Sequence, residues 1–153
     1  MTVTAIRPLS RMRWSVPTWP AVFAAVGTGI ALAIVSLLLV RSGMAPAPDV
    51  AEEVTTSFPI WAQLILLAAV GPLVEEALFR GWLPLKLRRI MPDFGATVSS
   101  AIVFALIHWF SPVAIWLLLF AGGIIFSALA RRFDNLVVPT IAHCTINLIA
   151  ILS

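Results

Sequence analysis

The chain has 153 residues, of which 61% are hydrophobic and only 11% are charged, and its mean hydropathy is +1.04. Soluble globular domains carry about 25% charged residues, and disordered chains combine high charge with low hydrophobicity, so the composition excludes both classes. The net charge of +3 does not indicate nucleic-acid binding, because all but three charges lie in short stretches between apolar runs. The sequence therefore predicts an integral membrane protein.

Five apolar runs separated by charged loops predict an all-α, polytopic bundle of about five transmembrane helices. Strands are excluded because backbone groups in lipid need partners within their own segment. The runs cover residues 19–40, 58–79, 94–110, 112–130 and 136–152. The predicted organisation is a basic N-terminal arm (1–18), an anchor helix with its loop (19–57) and a helical core (58–153).

Lysine and arginine alternate between loops and thereby predict the orientation. They concentrate in the N-terminal arm, in the second loop and in the fourth loop, whereas the first loop is mainly acidic and the third turn has no charge. By the positive-inside rule the N-terminus is expected in the cytoplasm and the C-terminus outside. The expected location is the cell membrane.

A cleaved signal peptide is the alternative interpretation of the first run. Arg7 to Arg13 would be its basic region, and Ala45-Pro46-Ala47 would be its cleavage site. The apolar run from Trp19 is too long for a signal core, and a proline directly after the cut site is unfavourable. An uncleaved anchor helix is the favoured prediction.

The three exceptional charges are Glu75, Glu76 and Arg80, near the end of the second run. An acidic residue inside the bilayer costs up to about 3 kcal/mol, so the pair needs compensation. Arg80 follows Glu76 by four residues, which predicts an ion pair on one helical face. Glu75 points about 100° away and must find another helix or water in a cavity. In the alternative interpretation, both acids reach the interface and have no function.

Both histidines of the chain also lie in apolar runs. His143 and Asn147 are four residues apart and share a helical face, and Phe104 lies one turn before His108 and can pack against its ring. Cys144 faces about 100° away from His143 and is expected to be a packing residue. Together with the two glutamates, these side chains predict one buried polar site.

Three motifs resemble those of the CPBP intramembrane proteases, also called the Abi or CAAX prenyl protease family. They follow one another on successive predicted helices with the family's spacing, and their residues are Glu75-Glu76-x-x-x-Arg80, Phe104-x-x-x-His108 and His143-x-x-x-Asn147. The resemblance covers about half the chain, from Glu75 to Asn147. The first run and the arm lie outside the motifs, and many family members have additional spans.

The resemblance implies hydrolysis of a peptide bond by water in an intramembrane cavity. It implies that Glu75 is the general base and that His108 helps to hold or deprotonate the water. It further implies that His143 and Asn147 stabilise the oxyanion. The remaining motif residues would be supporting ones, either structural or substrate-orienting: Glu76, Arg80 and Phe104. Carboxylates, imidazoles and amides are suited to this acid–base and oxyanion chemistry.

A catalytic metal is left open by the sequence. Glu75, His108 and His143 form an acceptable zinc set with one open position, and many family names include the word metalloprotease. The chain has no His-Glu-x-x-His on one helix, and the family resembles glutamate-dependent enzymes. No cofactor is therefore assigned, and a divalent metal such as zinc stays an alternative.

The predicted spans place the candidate residues at different depths. At 1.5 Å per residue, Glu75 would lie about 6 Å, His143 about 10 Å and His108 about 20 Å from the cytoplasmic ends of their helices. A cytoplasmic segment over 82–93, broken at Pro84, would let the third span begin deeper. Gly71-Pro72 would permit a kink beside Glu75.

Two functions of different classes follow from the sequence. The favoured one is an endopeptidase that cuts membrane-associated or lipid-anchored peptides. The cut site is expected to be reached from the cytoplasmic side. The resemblance suggests prenylated CAAX proteins, or bacteriocins and other short peptides, as substrates. The alternative is a non-catalytic membrane scaffold or bacteriocin-immunity protein that uses the same cavity for binding. The oligomeric state is not indicated.

Overall fold

The computed structural model describes residues 13–45, 57–108 and 111–153. In these ranges the chain is helical, without a strand of any length, and its five helices are α1 (Trp19–Arg41), α2 (Ile60–Leu87), α3 (Asp93–Leu106), α4 (Val113–Phe133) and α5 (Val137–Leu152). Helices α1, α2 and α4 are long and apolar enough to cross a membrane, and α3 and α5 are shorter apolar helices. The predicted all-α membrane bundle is confirmed.

Several sequence predictions fall partly outside the described residues. These are most of the basic arm (1–12), most of the first loop with its cleavage-site alternative (46–56), and the last two residues of the third predicted span (109–110). The division into arm, anchor and core therefore stays a prediction.

The bundle buries small side chains and exposes large apolar ones, as expected where lipid is the solvent. The buried stripe of α1 consists of Ala21, Ala25, Gly29 and Ala33, and α1 packs mainly along α5. A Cβ atom on Gly29 would lie 2.5 Å from the backbone oxygen of Ala142. The absence of a side chain at this glycine therefore allows the close approach of the two helices.

Helix α2 differs from its prediction because it continues to Leu87 instead of ending near Phe79. It contains two π-helical turns, at Leu66–Val70 and Ala77–Trp82, which lie just before Pro72 and Pro84. A proline in an α-helix clashes with the carbonyl four residues earlier, and a wider turn relieves this clash. The predicted break at Pro84 is therefore wrong, because residues 82–87 continue α2, whereas a cytoplasmic location of the segment over 82–93 stays a prediction.

The greater length of α2 reduces the predicted difference in depth between Glu75 and His108, which lies one turn beyond Phe104. Glu75 lies about 18 Å from the end of α2 at Leu87, and Phe104 lies about 17 Å from the start of α3 at Asp93. The two residues therefore occupy similar levels near the middle of the bundle, and the predicted position of Glu75 close to the end of its helix is wrong.

The basic loops meet at one end of the bundle. The Arg13 N–H donates to the Asp134 carbonyl at 3.2 Å, and the Asn135 side chain donates to the Ser15 carbonyl at 2.8 Å. At the same end, Arg131 of α4 donates a hydrogen bond to Thr97 of α3. The described end of the arm (13–18), the start of α3 and the α4–α5 loop thus share one end, as their charges predict. That this end faces the cytoplasm stays a prediction.

Candidate active site

Two consecutive glutamates of α2 lie between the two π turns and have different environments. The side chain of Glu76 is fully buried, whereas 28% of the Glu75 side chain is exposed. Consecutive residues of a helix point about 100° apart, so the two carboxylates approach the interior from different directions. Only Glu75 is open to water or to a ligand.

Glu76 lies between a guanidinium group and an imidazole ring. Its Oε1 is 3.0 Å from Nη1 of Arg80 and 2.9 Å from Nδ1 of His143. The ion pair with Arg80 confirms the expectation from their spacing. The contact with His143 was not predicted, because it depends on how α5 packs against α2.

Arg80 is buried, with 2% of its surface exposed, and two aromatic rings flank its guanidinium group. Its Cζ lies 4.3 Å from the ring centroid of Phe104 and 5.2 Å from that of Phe126. Aromatic faces attract cations, and this attraction is strongest away from water. The two rings and Glu76 together compensate the buried positive charge.

His143 of α5 connects the two carboxylates. A carboxylate can only accept at Nδ1, so Glu76 makes that nitrogen the donor. The other ring nitrogen, Nε2, lies 3.6 Å from Oε2 of Glu75, which is longer than a direct hydrogen bond. The charged and polar groups therefore form one chain in space, from Arg80 through Glu76 and His143 to Glu75.

Phe104 of α3 packs edge to face against both histidines. The ring centroids are 5.1 Å apart for His108 and 5.9 Å apart for His143. The Nδ1 atom of His108 lies 2.9 Å from the Phe104 carbonyl oxygen, so its own helix orients the His108 ring. The predicted packing of Phe104 against the His108 ring is present, and a direct action of His108 on water stays a prediction.

Asn147 and His143 line a common cavity, in keeping with their predicted shared face. The cavity has a volume of about 90 Å³, and Phe104 together with apolar residues of α1 and α4 forms most of the rest of its wall. One N–H of the Asn147 amide donates to the Leu67 carbonyl at 2.8 Å. The second N–H of this amide is left for another acceptor.

Two contacts near the site were not identified from the sequence. The buried Ser100 hydroxyl of α3 donates to the Phe79 carbonyl of α2 at 2.6 Å, and Phe126 of α4 contacts the ring of His143. A serine or a phenylalanine within an apolar run gives no sign of its partner, because the partner lies on another helix.

The candidate zinc ligands do not form a compact set. In the part of the chain that the structure describes, no three His, Cys, Asp or Glu side chains are grouped so that they could hold one metal ion. His143 contacts a glutamate at each ring nitrogen. We therefore assign no step to a metal.

Comparison with known proteins identifies the family. A sequence model of the family described as type II CAAX prenyl endopeptidase Rce1-like matches residues 57–149, which is more than half of the chain and includes all of α2, α3 and α4 and most of α5. No curated protein and no solved structure was found to match. The matched region contains the whole buried polar chain. The protein is therefore a member of the Rce1-like family of type II CAAX prenyl endopeptidases, embedded in a membrane.

Proposed function

We propose that this endopeptidase cleaves membrane-associated or lipid-anchored peptides with a water molecule activated by Glu75. The observation that carries the proposal is the placement of Glu75: its side chain is partly exposed, and its buried Oε2 atom lies 3.6 Å from Nε2 of His143, whose other nitrogen contacts Glu76. A water beside these two atoms could bridge them, with a hydrogen bond to each.

Glu75 suits the role of general base better than Glu76 does. The Oε1 atom of Glu76 is in contact with both Arg80 and His143, and its side chain is fully buried. A base must come within hydrogen-bond reach of the water whose proton it takes. Glu75 is the carboxylate that water and a peptide can approach.

The proposed reaction has two proton transfers. Glu75 takes a proton from water as the hydroxyl oxygen attacks the peptide carbonyl carbon, and a tetrahedral oxyanion forms. The carbon–nitrogen bond then breaks, and Glu75 returns the proton to the leaving amine. The immediate products are a peptide carboxylic acid and a neutral amine, and Glu75 is again ionised; the new acid then gives its proton to the amine or to water.

His143 and Asn147 are the proposed oxyanion donors, and His108 the proposed second group that holds the water. Because Glu76 accepts from Nδ1, the proposed oxyanion role requires the imidazolium form of His143, in which Nε2 also carries a proton and directs it toward Glu75 and a reacting carbonyl. The free N–H of Asn147 is a further donor on the cavity wall. Arg80 and Phe104 support this arrangement.

The proposed substrates are prenylated CAAX proteins or other short membrane peptides, with the membrane lipid itself as the surrounding partner. The family description supports the CAAX class. The cell membrane is the proposed location, and the three long apolar helices support integration into a bilayer.

The test uses the full chain reconstituted in lipid vesicles, with a farnesylated CAAX peptide as the probe. We expect the wild type to release the C-terminal fragment, and Glu75→Gln to lower the rate at least about 100-fold, because an amide takes up no proton from water. Asp134→Asn is the matched control. It also removes one carboxylate, and asparagine suits the left-handed conformation there, where φ is 52°.

Two results would count against the proposal. Cleavage by Glu75→Gln at the wild-type rate would exclude Glu75 as the base. Failure of the folded wild type to cleave the probe would exclude this prenylated peptide as a substrate.

A further inference from the structure

The π turns of α2 each leave one backbone carbonyl without a donor from its own helix. At the second turn, the Leu83 N–H donates to the Leu78 carbonyl, five residues earlier, and not to Phe79 as in an α-helix. The next donor in the π register would be residue 84, and Pro84 has no N–H. The Phe79 carbonyl therefore loses both of its possible backbone partners.

The Ser100 hydroxyl of α3 takes their place, donating to the Phe79 carbonyl at 2.6 Å. Ser100 is 1% exposed, so no water replaces this hydrogen bond from the surface. A buried carbonyl without a partner is costly, most of all in a membrane protein. The serine hydroxyl therefore replaces the backbone donor that the π turn and the proline together remove from the Phe79 carbonyl.

The first π turn shows the same arrangement. The Gly71 N–H donates to the Leu66 carbonyl, Pro72 has no N–H, and the Leu67 carbonyl accepts from Asn147 of α5 at 2.8 Å. Two independent turns thus combine a proline with a side-chain donor from a neighbouring helix. The repetition indicates that the donors and the prolines act together.

Glu75, the proposed general base, and Glu76 lie between these two turns. A π turn contains one additional residue, which rotates the helix that follows by about 100° relative to the helix before it. Phe79 is the neighbour of Arg80, and its ring packs on Phe104 at a centroid distance of 5.4 Å. The Ser100 hydrogen bond therefore joins the glutamate segment of α2 to the helix that carries Phe104 and His108.

We propose that Ser100 is a positioning residue for peptide hydrolysis. Its hydroxyl stabilises the π turn at Ala77–Trp82 through the Phe79 carbonyl, and thereby sets the orientation of the α2 glutamates relative to α3. The inference rests on the proposed function of Glu75. It adds a residue outside the three motifs that touches neither water nor substrate.

The first test measures kcat and KM with the farnesylated CAAX peptide in vesicles. Ser100→Ala is expected to lower kcat by about 10-fold to 100-fold with little change in KM, because a misplaced base slows the chemical step. Ser127→Ala is the matched control. Its hydroxyl is also buried, but it donates to Gly123 in its own helix at 2.9 Å, so we expect an unchanged kcat. An unchanged kcat in Ser100→Ala would overturn the proposal.

The second test asks whether the hydroxyl acts through the Phe79 carbonyl. Pro84→Ala supplies the missing backbone N–H, so removal of the serine hydroxyl should matter less in its presence. We expect the loss of kcat caused by Ser100→Ala to fall to less than about threefold when residue 84 is alanine, which is strong coupling in a double-mutant cycle. An equal loss with proline and with alanine would overturn the proposal. If Ser100→Ala does not insert into the membrane, Ser100→Cys, a weaker donor of similar size, takes its place in the cycle.

A measurement without substrate separates this inference from the proposed function. Hydrogen exchange of the backbone amides over 79–87 should be faster in Ser100→Ala than in the wild type, and unchanged in Ser127→Ala. Faster exchange in Ser100→Ala, combined with a wild type that cleaves no peptide, would retain the role of Ser100 in α2 and reject the proposed function. Unchanged exchange in Ser100→Ala would reject the role of Ser100 itself.

Discussion

Arg80 shows how one residue joins stability to the site. Its guanidinium group is buried between two aromatic rings and pairs with Glu76, which in turn holds His143. An arginine suits this place better than a lysine, because its planar group stacks on rings as well as pairing with a carboxylate. The residue therefore supports the orientation of His143 through Glu76.

Removal of Arg80 should destabilise the protein strongly. Arg80→Ala leaves the Glu76 carboxylate buried without its cation, which is expected to lower the free energy of unfolding by about 3–5 kcal/mol. The additional substitution Glu76→Gln should restore part of this loss. Unfolding of both variants in detergent, followed by circular dichroism, checks the prediction. Equal stability of Arg80→Ala and the wild type would contradict it.

Metal removal should leave the reaction unaffected. The proposed steps use Glu75, His143 and Asn147 and need no Lewis acid, so incubation of the reconstituted protein with 1,10-phenanthroline should not change kcat for the farnesylated peptide. Activity that is lost with the chelator and recovered with zinc would contradict the glutamate-dependent proposal. It would favour the alternative zinc set of Glu75, His108 and His143.

Spacing within one helix predicted part of this site. The ion pair of Glu76 with Arg80 and the packing of Phe104 on His108 both follow from a separation of four residues. The contact of Glu76 with His143 joins residues 67 positions apart. Spacing carries no information about such a pair, because it depends on the packing of α2 against α5.

Close helix packing depends on small side chains, and α1 gives the plainest example. Gly29 lies against the Ala142 backbone and the Thr145 side chain, whereas Gly27, two residues earlier, has no atom near its missing Cβ. The two glycines share a helix and a similar depth but differ in their surroundings, which makes them a matched pair.

Alanine should change the free energy of unfolding differently at these two glycines. Gly29→Ala is expected to lower the free energy of unfolding by about 1–3 kcal/mol, because the added methyl group meets backbone atoms of α5. Gly27→Ala should be neutral or slightly stabilising, since alanine favours helix formation. Thermal unfolding of both variants in the same detergent checks the prediction, and equal effects of the two substitutions would contradict it.

The course of α2 could not be predicted from its sequence. Hydrophobicity located the apolar run, but basic residues after Phe79 and the proline at 84 were interpreted as a loop. The structure instead accommodates Pro72 and Pro84 by the π turns that precede them, with Asn147 and Ser100 as donors. Propensity within one segment does not reveal such donors, because they are supplied by other helices.

At the scale of the whole molecule, charge defines the two ends of the bundle. Contacts of Arg13 and Ser15 with the α4–α5 loop, and of Arg131 with Thr97 near the start of α3, place the described basic residues of these segments at one end. The positive-inside rule then predicts that this end faces the cytoplasm. A substrate anchored on the cytoplasmic leaflet would approach the site from here.

Cysteine labelling tests this orientation. In a Cys144→Ser background, Arg132→Cys is expected to resist a membrane-impermeant maleimide in intact cells and to react in inverted vesicles. Ser42→Cys, at the opposite end of the bundle, should react in intact cells. The reverse pattern would contradict the predicted orientation.

The most direct test of the central claim compares membrane-protein termini by mass spectrometry in source cells that express either the wild type or Glu75→Gln. It requires no prior choice of substrate, and Asp134→Asn serves as the control. The proposed mechanism predicts new termini in cells with the wild type and with Asp134→Asn, and none with Glu75→Gln. Identical termini in all three, with the variants folded and inserted, would contradict it and favour the non-catalytic scaffold or immunity role.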